Sequence, residues 1–471
     1  MIDKIVHYKA MKKNKQIFLL LITGISAMGG LLFGYDWVVI GGAKPFYESY
    51  FQINDSPSLQ GWAMSSALIG CLMGAIVSGY LTDRIGRKIP LVLSAILFTI
   101  SAIGTGAVDN FSWFVVFRLI GGLGIGLASA LSPVYIAEIA PAHLRGRLVS
   151  INQLTIVIGI LAAQIINYFI ADKVPEGATN EFILSSWNGQ TGWRWMFWAG
   201  AVPAMLFLGL SFILPESPRY LLKTGNEKKA KSVLRKLIGE QQATAEMIEI
   251  SNSLHGPSSK IEWKELRSAR IKPLLIIGIV LAVFQQWCGI NVIFNYAEEI
   301  FTSAGYTVGE MLFNIVITGS VNLVFTIIAM RMVDSWGRRK LMLLGSAGLS
   351  IVYLFLGLSY YLQLQGIVVL VFVLIAIAVY AMTLAPVTWV ILSEIFPNKV
   401  RGAAMSIATT SLWIACFILT YTFPLLNHTL KASGTFWLYA FICLSGLLFI
   451  YMRLPETKGK SLEEIEKDYG V

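Results

Sequence analysis

The chain has 471 residues, of which 56% are hydrophobic and only 14% are charged. Because soluble proteins carry roughly a quarter charged residues, this composition excludes an ordinary soluble protein. The formal net charge of +10 could suggest a nucleic-acid partner, but the basic residues lie in the loops between long apolar segments.

Apolar segments of about 20 residues, enough to cross the ~30 Å hydrocarbon core of a bilayer as helices, recur along almost the whole chain. Helices are expected because only they satisfy their own backbone polar groups in so many separate spans. The sequence therefore predicts an all-α membrane protein with twelve transmembrane helices and short intracellular helices. The predicted spans are residues 17–40, 61–81, 89–108, 112–138, 148–171, 193–214, 272–298, 310–333, 340–362, 367–395, 403–425 and 434–454.

The basic residues predict the orientation of these spans. With the N-terminus placed inside, nearly all Lys and Arg residues lie in the inner loops and tails, and the outer loops hold only Lys44, Lys173 and Lys431. Cytoplasmic loops of membrane proteins carry this excess of positive charge. We therefore expect both termini in the cytoplasm, and no nucleic-acid partner.

Three motifs on the inner side occur twice. The copies are separated by 251, 256 and 240 positions, so the chain consists of two similar halves. An even number of spans per half gives both halves the same orientation, as in transporters whose two bundles hold a substrate at the membrane midplane. We therefore expect two six-helix bundles. The paired motifs are residues 83–88 with 334–340, 138–146 with 394–402, and 215–219 with 455–459.

These motifs place carboxylates and arginines at the inner ends of neighbouring helices. Charge-assisted hydrogen bonds between such groups form only when the helix ends approach. We interpret the motifs as an intracellular gate, weak enough to open because water solvates exposed ions well. The alternative is that the basic residues only anchor the membrane topology. The gate residues are Asp83, Arg84, Arg87, Glu138, Arg145, Glu216, Arg219, Asp334, Arg338, Arg339, Glu394, Arg401 and Glu456.

Residues 215–271 form the one extended polar stretch between the halves. Segments 227–231 and 261–266 have the pattern of short amphipathic helices, separated by a loop at 251–259. The stretch contains no phosphate-binding loop or catalytic constellation, so we interpret it as a linker of gating helices. The predicted domains are 1–214, 215–271 and 272–455, followed by a tail at 456–471.

Two ionisable residues are expected inside the hydrocarbon core, Asp36 in the first span and Arg118 in the fourth. At 1.5 Å per residue, both lie roughly 6 to 9 Å below the outer surface, so they are placed to pair. Burial favours the neutral form of a carboxyl group and a neighbouring arginine favours its charged form, and this competition makes a proton switch. The alternative is a permanent ion pair between the two helices, although a purely structural link does not require a buried charge.

Several motifs together resemble the sugar porter family of the major facilitator superfamily. The resemblance covers essentially the whole chain, and the stretch 126–146 is most similar to the bacterial xylose and proton symporters. Asp36 matches an acid of these symporters where facilitative glucose uniporters usually have asparagine, and Arg118 matches its partner. The motifs are Phe33-Gly-Tyr-Asp36, the repeated Asp-Arg-x-Gly-Arg-Lys type of loop, Pro215-Glu-Ser-Pro-Arg219, Gln285-Gln286 with Gly289-Ile-Asn291, and Pro455-Glu-Thr-Lys-Gly459.

The resemblance implies a sugar site made of amides and aromatic rings. Amides donate and accept hydrogen bonds, as sugar hydroxyls do, and tryptophan offers a flat apolar face for a pyranose ring. Gly289 permits a break in the seventh span, whose upper part is expected to move as a lid. For each amide, the alternative is a hydrogen bond that holds helices together. The implied positions are Gln153, Ile160, Gln285, Gln286, Asn291, Asn295, Asn322, Trp389 and Trp413.

Five positions depart from the family pattern. Ile160 stands where the xylose symporters tend to have glutamine and the glucose uniporters isoleucine. Gly200 stands where some xylose symporters have a glutamate in helix six. Asn295 replaces a usual tyrosine, Ala385 a usual glycine and Leu412 a common amide. These differences leave the identity of the sugar open and predict a simpler proton pathway or looser coupling.

The expected function is symport of a monosaccharide and a proton by alternating access, with D-xylose first, D-glucose second, and then arabinose or galactose. We expect a monomer in the plasma membrane, of the bacterial inner type, with no cofactor, metal or disulfide. A facilitative uniporter fits everything except Asp36. A sugar sensor would be expected to carry a long cytoplasmic extension. An enzyme would need a catalytic constellation, whereas the four histidines are scattered.

Overall fold

The computed structural model describes residues 13–141, 144–175, 177–255, 266, 268, 271–364, 366–397, 400–454 and 456. Nearly all of these residues lie in α-helices, and no strand occurs among them. The predicted all-α architecture is therefore confirmed for the described part of the chain.

The helices follow the two-half order that the sequence predicts. The first half contains α1 (Lys13–Phe51), α2 (Pro57–Ile85), α3 (Lys88–Ala107), α4 (Phe111–Ile139), α5 (Arg145–Ile170), the short α6 (Asn180–Ser185) with a π-helical turn (Asn188–Gly192), and α7 (Trp193–Ser211). The connecting segment contains α8 (Pro218–Lys223), α9 (Glu227–Leu237) and α10 (Glu240–His255). The second half contains α11 (Ile271–Trp287), α12 (Ile290–Asn295), α13 (Ala297–Ser303), α14 (Val308–Trp336), α15 (Arg338–Tyr361), α16 (Ile367–Met382), α17 (Leu384–Ile395) and α18 (Arg401–Arg453).

Ten helical segments in the described residues are long and apolar enough to cross a membrane, and the last, α18, has 53 residues. A helix of that length measures ~80 Å, more than twice the hydrocarbon thickness of a bilayer. Its backbone leaves helical geometry at Lys431, where φ is 58° and ψ is 173°. Helix α18 therefore carries the predicted eleventh and twelfth spans, and α7 occupies the position of the sixth.

The first helix extends well beyond its predicted end at residue 40. Helix α1 continues to Phe51 and carries Lys44 and Glu48, which are only 2% and 3% exposed. The prediction that Lys44 lies in an outer loop is wrong. The hydropathy pattern ended the span at the first charges, but these charges pair with one another and with the second half, so the helix can continue.

Two spans of the second half are broken. The predicted break in the seventh span is present at Gly289, whose φ of 86° lies in the left-handed region that glycine adopts without strain. The tenth span breaks at Thr383, which separates α16 from α17. Pro386 in the first turn of α17 explains this second break, because its ring would clash with the carbonyl of residue 382 in a continuous helix.

Within the first half, α2 packs on α4 and α1 on α5, and in the second half α15 packs on α18. The halves meet where α2 contacts α18 and where α14 contacts α5. The backbones approach closely there, because a methyl group on Gly61 would meet the Tyr421 carbonyl oxygen and one on Gly319 would meet the Gln164 side chain. Small residues commonly permit such contacts between membrane helices.

The connecting segment differs from its prediction at one point. Helix α10 continues to His255, so the predicted loop at 251–259 does not begin at residue 251. Of the predicted helix at 261–266, only Leu266 is among the described residues, and it is buried. The domain boundaries stay a prediction.

Candidate functional site

The ion pair predicted between Asp36 and Arg118 is present. Arg118 Nη1 on α4 donates to Asp36 Oδ1 on α1 at 2.8 Å, and Nη2 approaches the Asp36 carbonyl oxygen at 3.4 Å. The arginine side chain is 2% exposed and the aspartate side chain 14%. Asp36 Oδ2 and Arg118 Nε have no hydrogen-bond partner, so each group keeps unused hydrogen-bonding capacity.

A small cavity lies on either side of this ion pair. The cavity beside Asp36 is lined by first-half residues, including Tyr35, Phe197 and Gly200. The cavity beside Arg118 is lined by Trp37 and Cys71 of the first half and by Asn295 of the second. The ion pair therefore stands next to the contact between the halves.

The ring of Tyr35 packs against Gly200. The Tyr35 hydroxyl donates to the Met196 carbonyl oxygen at 3.0 Å, and the tyrosine is 3% exposed. A β-carbon at position 200 would lie 2.8 Å from the ring of Tyr35. A side chain at position 200 would therefore require this ring to move.

Three of the predicted amides form one hydrogen-bonded cluster on α11 and α12. Gln286 Nε2 donates to Gln285 Oε1 at 2.7 Å, and Asn291 Nδ2 donates to Gln286 Oε1. Gln285 Nε2 donates to the hydroxyl of Tyr380 on α16 at 3.2 Å. Tyr380 was not predicted, and its sequence signal is a single hydroxyl within the otherwise apolar helix α16.

The predicted Trp413 belongs to a group of rings that joins the halves. Its ring centroid lies 6.2 Å from that of Phe33 and 6.3 Å from that of Trp37, both on α1. Phe33 and Trp37 lie 5.7 Å apart and edge-to-face. These two rings were not predicted as site residues, although they flank Asp36 in the sequence.

The other predicted sugar-site residues have different environments. Ile160, Asn295 and Asn322 are buried, and Asn295 Oδ1 has no hydrogen-bond partner. Gln153 on α5 and Trp389 on α17 are exposed in this conformation. Asn295 therefore adds an unsatisfied acceptor beside Arg118, whereas Gln153 and Trp389 remain open to a ligand.

The end of the bundle that carries the basic loops is called the inner end, and the opposite end the outer end. At the inner end of the first half, Arg87 Nη2 binds Glu138 Oε1 at 2.8 Å. Glu216 accepts hydrogen bonds from the backbone N–H groups of Arg87 at 2.8 Å and Lys88 at 3.3 Å. The carboxylates thus hold the start of α3 against α4 and the segment before α8.

The second half repeats this arrangement. Arg338 Nη2 binds Glu394 Oε1 at 3.1 Å, and Glu456 accepts from the backbone N–H groups of Arg338 at 2.9 Å and Arg339 at 3.2 Å. The repeated sequence motifs therefore build the same cluster twice. Each of these contacts lies within one half.

The remaining predicted gate residues make more local contacts. Arg145 and Arg401 each donate through Nε to a carbonyl oxygen at the preceding helix end, of Ala137 and Phe396. Asp83 binds Lys223 at 2.7 Å, and both are largely exposed. The Arg84 guanidinium lies over the ring of Tyr80 and Arg219 is exposed, whereas the Asp334 side chain lies outside the described part of the structure.

The outer end contains an ionic cluster that the sequence analysis missed. Lys44 Nζ lies 2.8 Å from Glu299 Oε1 and 3.0 Å from Glu298 Oε2, both on α13 of the second half. It also lies 3.2 Å from Glu48 Oε2 on its own helix. The spacing of four residues between Lys44 and Glu48 could have indicated that the helix continues, because it places both groups on one helix face. Lys44, Glu48, Glu298 and Glu299 are called the outer cluster.

A family model described as "Sugar (and other) transporter" matches residues 22–469 of the chain. The D-xylose-proton symporter of Escherichia coli (strain K12) is 40% identical over 94% of each chain. The arabinose-proton symporter of Bacillus subtilis is 40% identical and aligns over 96% of this chain and 95% of the relative. The glucose transport protein of a Synechocystis species is 39% identical over 95% of this chain and 97% of its own.

Solved structures of the E. coli xylose transporter also resemble this fold. The inward-open conformation aligns with a TM-score of 0.83 and 38% identity, over 95% of this chain and 99% of the other. The structure bound to 6-bromo-6-deoxy-D-glucose aligns with a TM-score of 0.76 and 38% identity, over 97% of this chain and 100% of the other.

Proposed function

Since this chain belongs to the sugar (and other) transporter family, we propose that it carries a monosaccharide across the membrane together with a proton. The predictions of the family, of the twelve-helix major facilitator fold and of a transporter instead of an enzyme are confirmed. D-xylose is the first candidate substrate because the stretch 126–146 is most similar to the xylose symporters. Overall identity does not rank the sugars, since a D-xylose and an arabinose symporter are both 40% identical. D-glucose is second and arabinose or galactose follow.

The observation that carries the proposal of proton coupling is the buried ion pair between Asp36 and Arg118. A carboxylate and a guanidinium 2.8 Å apart stabilise each other's charge away from water. A proton on Asp36 removes one of these charges, so the hold on Arg118 weakens. Arg118 also lines the cavity that reaches Asn295 of the second half, so its release would change the contact between the halves.

The amide cluster and the rings around Trp413 support a sugar site between the halves. Gln285, Gln286 and Asn291 together present donors and acceptors that match sugar hydroxyl groups without adding net charge. Trp413 supplies an apolar face against the first half. These groups belong to the second half, whereas Phe33 and Trp37 beside Trp413 belong to the first. A sugar that binds the amide cluster and these first-half rings would contact both halves, which is what alternating access requires.

The contacts at the outer end support an inward-facing state, because the outer cluster joins the two halves there. The TM-score to the inward-open xylose transporter, 0.83, exceeds the 0.76 of the sugar-analogue complex. We further propose that the inner clusters act as a gate and that both termini lie in the cytoplasm. The protein is proposed to work as a monomer in a bacterial inner membrane.

We expect Asp36→Asn to abolish accumulation of sugar driven by a pH gradient while exchange of internal for external sugar continues. Coupling to one proton permits at most about tenfold accumulation per pH unit, and without it the ratio falls to one. Labelled xylose in proteoliposomes, with and without an imposed gradient, measures both activities. Undiminished accumulation in Asp36→Asn would remove Asp36 from the coupling mechanism.

Asp109→Asn is a matched control, because Asp109 is a carboxylate that binds an arginine, Arg194, at 2.6 Å outside the candidate site. Hydrogen bonds from Tyr50 and Arg194 hold the pKa of Asp109 below its usual value, so it stays ionised throughout the assay. This variant should accumulate sugar normally.

Competition by a panel of pentoses and hexoses against labelled xylose uptake identifies the sugar. If the wild-type protein transports sugar but never accumulates it, the protein is a facilitative uniporter.

A further inference from the structure

The outer cluster holds more negative than positive charge in a buried place. One ammonium group, on Lys44, faces three carboxylates, and the Lys44 and Glu48 side chains are only 3% and 4% exposed. Glu298 and Glu299 are 15% and 17% exposed. Carboxylates gathered at one buried site oppose one another's ionisation. A single lysine offsets only one of the three negative charges.

Glu48 is the carboxylate best placed to hold a proton. It is the most buried of the three, and its Oε1 atom has no hydrogen-bond partner among the residues that the structure describes. Its Oε2 atom accepts hydrogen bonds from Lys44 at 3.2 Å and from Gln60 Nε2 at 3.1 Å. Glu299 is more exposed, and it accepts a hydrogen bond from Asn427 Nδ2 at 3.1 Å in addition to its contact with Lys44.

The titratable groups that face Glu48 come from both halves. Lys44 and Tyr47 share its helix, and Tyr296, Glu298 and Glu299 belong to the broken seventh span. The Tyr47 hydroxyl, next to Glu48 in the chain, is buried and finds no hydrogen-bond partner among the described residues. Glu48 therefore faces polar groups of both halves.

We propose that Glu48 is a second proton-binding residue, which takes up a proton when the outer ends of the two halves close around Lys44. The proposal rests on the proposed function of this chain as a proton-coupled transporter. When the outer ends separate, Lys44 and Glu48 remain together on α1, while Glu298 and Glu299 move away with α13. Closure brings the three carboxylates together and removes them from water.

The sign of the pH effect follows from linkage. The closed state binds the proton more tightly than the open state, so a fall in pH favours closure of the outer end. One linked proton changes the ratio of closed to open molecules by at most about tenfold per pH unit. A protonated carrier therefore closes to the outside more readily, which is the step that a proton-driven importer needs.

The test measures the separation of the outer ends by spin labels at Ser58→Cys on α2 and Thr429→Cys on α18, both exposed positions. The four native cysteines are buried and do not compete for the label. The protein carries Asp36→Asn, so that Asp36 adds no pH dependence. Distances between the labels are recorded in lipid nanodiscs from pH 5 to pH 8.

In this background the closed fraction should rise as the pH falls. Addition of Glu48→Gln should remove this pH dependence and keep the outer end closed at every pH, because the neutral amide mimics the protonated carboxyl group. Addition of Lys44→Met should reduce closure at pH 8 by about tenfold or more, because three carboxylates then lack their cation. Addition of Glu181→Gln, at an exposed glutamate of the outer loop, should change nothing.

A closed fraction that does not vary with pH, or a pH dependence that persists in Glu48→Gln, would overturn the proposal. If Glu48→Gln fails to fold, the opposite effect of Lys44→Met still decides, since an unchanged closed fraction in that variant contradicts the proposed charge balance. The label distances do not depend on sugar accumulation. If the wild-type protein fails to accumulate sugar but the Asp36→Asn protein closes with falling pH and Glu48→Gln removes that dependence, the proposed symport is rejected and Glu48 remains a proton site.

Discussion

Each buried basic side chain in the described transmembrane region contacts a carboxylate. Arg118 binds Asp36, Lys44 binds three glutamates, and Arg194 binds Asp109 as well as the carbonyl oxygens of Gly106 and Val108. Removal of Asp36, or of the glutamates around Lys44, leaves an uncompensated charge in a place of low dielectric constant, which costs about 3–5 kcal/mol. Asp109 is 80% exposed, so its loss from Arg194 costs little. Substitution of these few buried residues is therefore expected to lower the stability of the protein more than substitution of exposed charges.

The amide cluster gives a prediction at the same scale. Gln286→Ala and Asn291→Ala should each weaken sugar binding by about tenfold or more, because loss of a buried hydrogen bond costs roughly 1–3 kcal/mol. Equilibrium binding of labelled xylose to the purified protein measures the change. The control is Asn314→Ala, which removes another buried amide, on α14.

The same variants separate the two interpretations of the amides. If Gln286→Ala lowers the melting temperature but leaves the sugar affinity unchanged, the amide serves to join helices, as the alternative holds. If the sugar affinity falls and the melting temperature of Gln286→Ala drops no further than that of Asn314→Ala, the amide contacts the sugar.

At the scale of the helices, the apolar segments predicted where the spans lie but not where they end. Residues 17–40 are apolar enough to be recognised. Lys44 and Glu48 are charged and pair with each other on the same helix, and Lys44 also binds partners on α13. Those partners are about 250 positions away in the sequence, and only the folded structure brings them together. The Asp36–Arg118 pair was predictable because both residues interrupt apolar spans at matching depths.

The break in the seventh span gives a prediction for an element. Gly289→Ala should lower the thermal unfolding temperature, because a left-handed backbone costs a non-glycine residue about 1–2 kcal/mol and its β-carbon would lie 2.9 Å from the Tyr439 ring. Gly209→Ala in α7 is the control, because its β-carbon meets no atom within 4 Å. That helical position should be neutral or slightly stabilising. Equal melting temperatures for both variants in detergent would contradict a structural need for glycine at 289.

At the scale of the whole molecule, the two halves share their inner clusters as well as their helix order. Glu216 and Glu456 each accept two backbone N–H groups at the start of the helix that follows a repeated loop, α3 in one half and α15 in the other. Negative charge at a helix N-terminus is stabilising. The repeat and the two glutamates were predictable from the motif spacing. Their contacts with the backbone at the start of α3 and α15 were not, since those helix starts are more than 100 positions away in the sequence.

This symmetry predicts equal effects of equivalent substitutions. Glu216→Gln and Glu456→Gln should each lower the free energy of unfolding by about 1–2 kcal/mol, because hydrogen bonds to a charged acceptor become hydrogen bonds to a neutral one. Their effects should add in the double variant, since distant sites are independent. Thermal unfolding in detergent measures this, with the exposed Glu249→Gln as control. A loss confined to one half would show that the repeated clusters are not equivalent in energy.

The Tyr35 ring beside Gly200 couples two distant positions of the chain. Any β-carbon at position 200 would press on this buried ring, so the ring has to shift to admit a side chain. A shifted ring strains the hydrogen bond from the Tyr35 hydroxyl to the Met196 carbonyl oxygen. Because Tyr35 precedes Asp36 in the chain, a substitution at position 200 would act on the neighbourhood of the proposed coupling carboxylate without touching it.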